Sequence, residues 1–510
     1  MKLPWDHWAF VPWLSFNTLL GIIFVIGLLI FDFSKRRKTW SRYPPGPRSL
    51  PFVGNMFQFD LGNLHTSYKQ LVAKHGDVFS LQFFWQNVVV LNGYDVMKEA
   101  LIQKSEYIAD RPSFRVFEAL GINGNSKGVV MAHYGRAWKE QRRFSLSTMR
   151  DFGMGKKSLE ERVTEEAFHL CSALKAEQGR AFNPHYIMNT AVSNIICSII
   201  FGDRFEYDDD KYQQLLHHFE DSLKAESSVL AQVANAVPWL TYIPGFAQKI
   251  FAPQIRMLKF LEDIIHKHQE TWDPGYIRDF VDAFMLEMEK AKGDKDTSFN
   301  KKNLLFTPVD LFTAGTETTT TTLRWALLLM LLYPDVQRKV HEEIDKVIGR
   351  HRKPTMGDVL EMAYTNAVIH EVQRFGDILP LALPHKTYRE IEIHGYLIPK
   401  DIVIITNLSS VLKDERFWEK PLQFYPEHFL NNDGKFVKCE AFLPFSAGRR
   451  VCLGEQLARM ELFLFFTTLM QSFTFSIPNG HPRPREDPMV SITQSPHPYE
   501  ICANIRSERY

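Results

Sequence analysis

The first hydrophobic pattern along the chain is an uncharged stretch over residues 9–31, rich in Leu, Ile, Val, Phe and Trp. Its length meets the roughly 20 residues that a helix needs to cross a bilayer. Four basic residues, 35–38, follow it, which by the positive-inside rule places the rest of the chain in the cytosol. The alternative is a cleaved signal peptide, but there the basic residues precede the apolar run. The pattern predicts one N-terminal transmembrane helix within an anchor segment, residues 1–43.

The remaining residues, 44–510, alternate apolar and polar positions in short runs, as globular domains do, and they begin with a stiff Pro-Pro-Gly-Pro spacer. β-rich runs predict hairpins, and apolar residues at helical spacing predict helices. The main expectations are hairpins over 78–91 and 391–405, helices over 310–330 and 334–348, and a polar surface loop over 289–303. We therefore expect one mainly α-helical catalytic domain with small antiparallel β-sheets.

The charge balance and the cysteine content exclude some classes of function. The chain has 60 basic and 59 acidic residues, which argues against nucleic acid as a main partner. Its five cysteines are scattered and odd in number, so neither a disulfide framework nor a cysteine metal cluster is expected. The apolar segment 234–246 is too short and too proline-rich to span a membrane. It is either an ordinary buried loop or a second patch that dips into the same bilayer.

The stretch 445–454 (Phe-Ser-Ala-Gly-Arg-Arg-Val-Cys-Leu-Gly) carries the most specific chemistry. Cys452 precedes a helix-like run, where unpaired amides and the helix dipole stabilise a thiolate. Glycines let a backbone approach a flat ligand closely, and a thiolate can be the single axial ligand of haem iron. A lone cysteine is more often an ordinary core residue. The spacing Phe-x-x-Gly-x-Arg-x-Cys-x-Gly favours haem.

The predicted helix 310–330 contains an acid followed by an alcohol, Glu317-Thr318, within a run of threonines. Glycine and successive threonines weaken a helix interior, so a local distortion is expected here. Thr318 is then placed to hydrogen-bond bound oxygen, and Glu317 to deliver protons through water. The plain alternative is a hydroxyl-rich helix packed on its neighbour.

Two further patterns pair charges at helical spacing. Glu371 and Arg374 lie three residues apart in an apolar run, so the two charges can meet, and His428 could join them. Most such pairs are solvated and weak. Trp138 and Arg142 lie four residues apart and suit the edge of an anionic cofactor, although a basic surface helix is equally compatible.

These motifs, in this order, resemble a cytochrome P-450 (haem-thiolate monooxygenase) of the microsomal type, from the proline spacer to the C-terminus. The resemblance implies the mainly helical P-450 fold, with Cys452 as the axial ligand of haem b (iron protoporphyrin IX). It implies a structural triad of Glu371, Arg374 and His428, although the family usually has arginine at the third position. The residues expected to contact haem are Arg111, Trp138, Arg142, His385, Arg450, Phe445, Gly448 and Gly454.

The segments 368–378 and 405–415 resemble family two, subfamily D, the basic-drug hydroxylases. In that subfamily two acids attract protonated amines, and the matching positions are Asp310 and Glu226. Asp310 shares a helix face with Thr318, about 12 Å away, although it could equally be a helix N-terminal charge favoured by the dipole. The expected pocket also includes three aliphatic residues where relatives can carry aromatics: Ile122, Val490 and Ile492.

The resemblance implies an NADPH- and O2-dependent monooxygenase in the endoplasmic reticulum membrane, single-pass, with its catalytic domain facing the cytosol. It would hydroxylate or dealkylate lipophilic small molecules: basic amines, other xenobiotics, steroids or fatty acids. The implied electron donors are the flavoprotein NADPH-cytochrome reductase and, secondarily, cytochrome b5. Two rivals stay open: a haem-thiolate peroxide isomerase, which has no need of Glu317-Thr318, and a non-catalytic haem-binding protein.

Overall fold

The structure is a computed structural model of the 510-residue chain. It describes residues 16–40, 43–50, 53–59, 64–84, 86–113, 128–236, 238–243 and 245–506. Ile122 lies outside these residues, as do residues 9–15 of the expected membrane helix.

Helices dominate the described chain. The α-helices are α1 (Phe16–Trp40), α2 (Leu64–His75), α3 (Tyr94–Met97), α4 (Arg136–Asp151), α5 (Lys157–Ala176), α6 (His185–Ile200), α7 (Asp210–Ser227), α8 (Val229–Ala236), α9 (Phe246–Glu270), α10 (Phe280–Lys290), α11 (Lys301–Leu332), α12 (Pro334–Val347), α13 (Ala363–Gly376), α14 (Ser409–Leu412) and α15 (Glu455–Ser472). Short 3-10 turns include Pro238–Tyr242, Pro426–Phe429 and Gly448–Arg450.

The strands form small sheets beside the helices. They are β1 (Val78–Phe83), β2 (Gln86–Leu91), β3 (Ala181–Phe182), β4 (His385–Lys386), β5 (Ile391–Ile393), β6 (Tyr396–Ile398), β7 (Val403–Thr406), β8 (Phe473–Ser476), β9 (Pro488–Val490), β10 (Gln494–Pro496) and β11 (Ile501–Ile505). The sheet orders are β1-β2-β7-β4, β3-β11-β8, β5-β6 and β10-β9.

The first predicted hairpin is confirmed, since β1 and β2 pair antiparallel from Val78 opposite Leu91. The second run, 391–405, divides between two sheets. β5 and β6 form a tight hairpin whose turn places His394 and Gly395 at positive φ. β7 instead pairs parallel with β2, so the largest sheet is mixed rather than purely antiparallel.

Helix α11 is the centre of the body and packs against α6, α13 and α15. It begins at Lys301, where the Asn300 side chain caps it by accepting hydrogen bonds from two first-turn amides. The expected start at Asp310 is therefore wrong, and the expected loop 289–303 is confined to the residues between α10 and α11. Asp310 lies well inside the helix, so it is not an N-terminal charge.

The N-terminal helix α1 covers the C-terminal part of the apolar stretch, and its side chains from residue 18 to 31 are exposed. Over the residues that the structure describes, no helix is both long enough and apolar enough to cross a membrane.

Candidate active site

The Cys452 loop is folded around glycine and a tight backbone contact. Gly448 has φ of 75°, and a Cβ there would lie 1.7 Å from the Leu101 carbonyl oxygen, so no larger residue fits. The Cys452 amide donates to the Phe445 carbonyl at 3.0 Å, which closes the loop just before α15. By contrast, a Cβ on Gly454 would meet no atom within 4 Å.

The Cys452 thiol is reachable by solvent although protein surrounds it. Burial raises the pKa of this thiol, while a Gly454 amide hydrogen bond and the Arg142 guanidinium lower it. Arg142 also donates to the Val451 carbonyl at 2.6 Å, so its charge is fixed beside the sulfur. Since a bound metal cation strongly favours the thiolate, this accessible sulfur suits an axial metal ligand.

Three buried or half-buried arginines, Arg111, Arg142 and Arg450, lie close enough to perturb one another. Burial, together with the charges of the other two, lowers the pKa of Arg450 to about 8. Arg450 donates to the carbonyls of Ala109 and Ala132 at 2.7 and 2.6 Å. Burial lowers the pKa of Arg111 to about 10. The cluster therefore concentrates positive charge in a poorly solvated place.

Neutral groups complete this surface. His385 donates through Nδ1 to the Ile108 carbonyl at 2.9 Å, and burial and Arg111 hold its pKa well below the usual range. The ring is therefore uncharged at neutral pH. Trp138 donates to the Val129 carbonyl at 3.1 Å and lies 4.1 Å beneath the Arg450 guanidinium. Aromatic stacking keeps this guanidinium in place.

The arginine cluster fits the two carboxylates of haem. Asp110, an acid whose charge acts on Arg111 and Arg450, is already engaged by His133 and Lys386 at 3.0 Å each. Anionic propionates would supply the missing counter-charge, and Cys452 would supply the iron ligand. The donor set and the charge excess thus agree with haem on observations of the protein alone.

The acid–alcohol pair lies on α11, which is an unbroken α-helix, so the expected local distortion does not appear. Thr318 donates from Oγ1 to the Ala314 carbonyl at 2.7 Å. The hydroxyl thus stays within its own helix. A Cβ on Gly315 would lie 2.5 Å from Ile196, so glycine here permits close packing on α6.

Glu317 is oriented by hydroxyl groups. It accepts hydrogen bonds from Thr493 at 2.7 Å and from Thr321 at 3.2 Å. Thr493 lies between β9 and β10 and was missed in the sequence, because no local pattern connects it to α11. The neighbouring Ile492 is 36% exposed. Val490 pairs with Gln494 across the two strands.

Asp310 and Glu226 come together although α7 and α11 are distant in sequence. Asp310 Oδ2 accepts from the amides of Val129 and Val130 at 2.7 and 2.9 Å. Burial raises the pKa of Asp310 to about 6 against these bonds. Burial also raises the pKa of Glu226 to about 7, opposed by a Gln254 hydrogen bond and helped by the Asp310 charge. The Asp310 charge therefore adds to the effect of burial on the pKa of Glu226.

Glu371, Arg374 and His428 are in contact and fully enclosed. Arg374 forms two bonds of 2.7 Å with Glu371, and its other hydrogens go to backbone carbonyls. His428 Nε2 accepts from the Lys420 amide at 3.0 Å, so Nδ1 carries the proton donated to Glu371 at 3.2 Å. Histidine thus occupies a donor position of this network, as the resemblance implied for arginine.

The accessible cysteine, the cluster of buried arginines and the helix with its acid–alcohol pair define a haem-thiolate oxygenase site. A family model for cytochrome P450 matches residues 44–503, and the chain belongs to this family. It is 54% identical over 486 residues to cytochrome P450 2D6 of Homo sapiens, covering 95% of this chain and 98% of that protein. It is 53% identical to cytochrome P450 2D10 of Mus musculus (96% and 97% covered) and 52% identical to cytochrome P450 2D26 of Rattus norvegicus (98% and 99% covered).

The chain is therefore a haem-thiolate monooxygenase that resembles subfamily 2D, with a mainly helical fold carrying small sheets. The family also implies haem with a cysteine thiolate ligand and electrons supplied by a redox partner.

Proposed function

We propose that this enzyme hydroxylates or dealkylates lipophilic small molecules that carry a protonated amine, xenobiotics foremost among them. The observation that carries the proposal is a pair of half-buried carboxyls with raised pKa values, Asp310 on the helix of Thr318 and Glu226 on α7. Asp310 Oδ2 accepts both backbone bonds, which leaves Oδ1 to receive a charged ligand. Steroids and fatty acids form a second substrate class, which the aliphatic positions Ile122, Val490 and Ile492 would accept.

Haem, when bound, supplies oxygen activation and oxidation of a C–H bond. Cys452 would hold the metal, and Arg111, Trp138, Arg142, His385 and Arg450 would hold the propionates, while Phe445, Gly448 and Gly454 would shape the cysteine loop. Thr318 donates its hydroxyl proton to the Ala314 carbonyl and would offer its oxygen as an acceptor to bound oxygen, while Glu317, oriented by Thr493 and Thr321, would accept or deliver protons. Glu371, Arg374 and His428 fix the polypeptide behind the cysteine loop.

We also propose a single-pass anchor in the endoplasmic reticulum membrane, residues 1–43, with domain 44–510 in the cytosol. Its support is the row of exposed apolar side chains from residue 18 to 31 and the basic residues that follow. In segment 234–246, Tyr242 is 82% exposed and Ile243 43% exposed, which suits a second contact with lipid. Electrons would come from NADPH through the flavoprotein reductase, with cytochrome b5 as a second donor.

Reconstitution tests the reaction. The full-length enzyme with reductase, NADPH and O2 should oxidise a lipophilic amine, and Thr318→Ala should release peroxide in place of product. Thr318→Ser is the matched control, since it keeps the hydroxyl and should keep the coupling. Turnover of a lipid peroxide without NADPH, and none with reductase and oxygen, would instead establish the isomerase.

The metal ligand has its own test. The reduced, CO-bound enzyme should show the thiolate band, and Cys452→Ala should lose it. A band that persists in this variant would exclude Cys452 as the ligand, and haem binding without any turnover would favour a carrier.

A further inference from the structure

A second cluster of metal-ligand side chains lies where α9 ends and α10 begins. Asp279 and Asp282 are both fully buried, and the His268 side chain is 12% exposed. His268 Nε2 lies 2.5 Å from Asp279 Oδ2 and 3.3 Å from Asp282 Oδ1. One ligand atom from each residue therefore lies within 4.8 Å of the other two.

The outer atoms of this cluster are held by hydrogen bonds. The Asp279 side chain caps α10 by accepting from the Asp282 amide at 3.0 Å through Oδ1. Asp282 Oδ2 accepts from the Arg278 side chain at 2.7 Å and from its amide at 3.1 Å. Arg278 Nη2 also reaches Asp282 Oδ1 at 3.0 Å. Such outer bonds orient ligands in protein metal sites.

Two of the three inner ligand atoms are left without hydrogen bonds. Asp279 Oδ2 and His268 Nε2 are both buried, and neither makes a hydrogen bond of acceptable geometry although they lie side by side. A buried carboxylate oxygen without such a bond is costly, which calls for a partner. A protonated His268 paired with Asp279 is the competing explanation, but its N–H would then point along the line to the oxygen.

We propose that His268, Asp279 and Asp282 bind a divalent transition-metal ion, with Zn²⁺ as the best match. One imidazole nitrogen and two carboxylate oxygens are ordinary zinc donors, at about 2.0–2.2 Å from the metal. Ligand atoms around such a centre lie about 3.3 Å apart, so the His268–Asp282 pair already fits. Asp279 must withdraw from His268 by less than about 1 Å. With a neutral imidazole, the two carboxylates outweigh Arg278 by one negative charge.

The site would be structural and separate from the haem. A metal here joins the last turn of α9 to the cap of α10 across the loop between them. Helix α9 packs on α7, which carries Glu226, and itself carries Gln254. The metal would take no part in the catalytic steps.

The test compares zinc binding by haem-loaded, full-length proteins after treatment with a chelator. Each is equilibrated with Zn²⁺ and passed through gel filtration, and bound zinc is measured by mass spectrometry. Asp279→Asn keeps the capping oxygen but removes the charged ligand, and His268→Gln removes the nitrogen. Asp209→Asn is the matched control, since Asp209 caps α7 in the same manner outside the cluster.

We expect about one tightly held zinc in the wild type and in the Asp209 variant, and at least about tenfold weaker binding in the other two. Equal zinc affinity in all four proteins would overturn the proposal, because the 18 histidines of the chain then account for binding. A loss of thermal stability in Asp279→Asn that is the same with and without zinc would also overturn the proposal, because it would show that Asp279 and His268 form an ion pair. If the variants lose the reduced-CO band, zinc-edge anomalous scattering from wild-type crystals decides, and no peak at His268 Nε2 refutes the site.

Discussion

Two replacements of Asp310, by Ala and by Asn, should distinguish the effect of its charge from the effect of its hydrogen bonds to the backbone. Its Oδ2 accepts two amide bonds, from Val129 and Val130, and bonds to a charged group contribute about 1.5–3 kcal/mol each. Asp310→Ala loses both, so we expect a loss of about 3–6 kcal/mol in the free energy of unfolding. Asp310→Asn keeps an oxygen in place and makes neutral bonds of roughly half the strength, for a loss of about 1.5–3 kcal/mol.

Amine binding should respond differently, because both variants remove the charge. Breaking a buried charge pair costs about 2–5 kcal/mol, so both should bind a lipophilic amine at least about 30-fold more weakly. A neutral molecule of the same shape should bind Asp310→Asn nearly as well as the wild type. The pKa of Asp310 is raised to about 6 and that of Glu226 to about 7, so both acids gain charge as pH rises. Amine affinity should therefore increase from about pH 5 to about pH 8.

The assay is a titration of the haem Soret shift with an amine and its neutral isostere, alongside thermal unfolding of each variant. In Asp310→Asn the increase of amine affinity near pH 6, which comes from Asp310, should disappear, while the increase near pH 7, which comes from Glu226, should remain. Equal losses for the charged and neutral ligands would refute charge recognition. An Asn variant as unstable as the Ala variant would refute the assignment of the two backbone bonds.

Three further perturbations test the rest of the site. Gly448→Ala forces a Cβ to 1.7 Å from a carbonyl and should abolish the reduced-CO band, whereas Gly454→Ala, with nothing within 4 Å, should keep it; two intact bands would contradict the packing argument. Lysine cannot make the planar pair of hydrogen bonds that Arg374 forms with Glu371, so Arg374→Lys should lower the free energy of unfolding in denaturant by about 3–5 kcal/mol. The exposed Arg338→Lys is the control and should change this free energy little. Burial raises the pKa of Glu461 to about 8, so its stabilising protonated form is lost as pH rises through that value. Because glutamine does not titrate, the stability of Glu461→Gln relative to the wild type, measured as the free energy of unfolding, should increase by about 2–3 kcal/mol from about pH 6 to about pH 8.5. A stability difference that stays constant over this pH range would exclude a buried titrating acid.

Elements of the fold that depend on neighbouring residues could be predicted from the sequence, whereas those that depend on contacts between distant residues could not. Helix α12 was predicted nearly to the residue, because Pro334 starts it and its apolar face repeats at helical spacing. The β1–β2 hairpin was equally local. The start of α11 was missed, since a polar run, 301–303, and a proline inside the helix, Pro308, hide the first turns that follow the Asn300 cap.

The candidate site divides in the same way. The Cys452 loop and the Glu317-Thr318 pair are contiguous motifs, so their residues are visible in the sequence. The partner of Glu317 is Thr493, and the partner of Glu226 is Gln254, which is 1% exposed. Neither belongs to a spacing pattern, because tertiary packing alone brings them to the acids. The parallel pairing of β7 with β2 was hidden for the same reason.

One short backbone segment connects Asp310, the acid of the proposed amine site, to the buried arginines. The amides of Val129 and Val130 donate to Asp310, while the Val129 carbonyl accepts from Trp138 and Arg450 and the Val130 carbonyl accepts from Arg111. Bonds on both sides of a peptide group polarise it and strengthen each other. The carboxylate of Asp310, which accepts from the Val130 amide, thus increases the acceptor strength of the Val129 carbonyl in the same peptide group, and this carbonyl holds Trp138 and Arg450. Because this segment is bonded on both sides, a shift of Val129 and Val130 toward Asp310 would lengthen their bonds to Arg450 and Arg111.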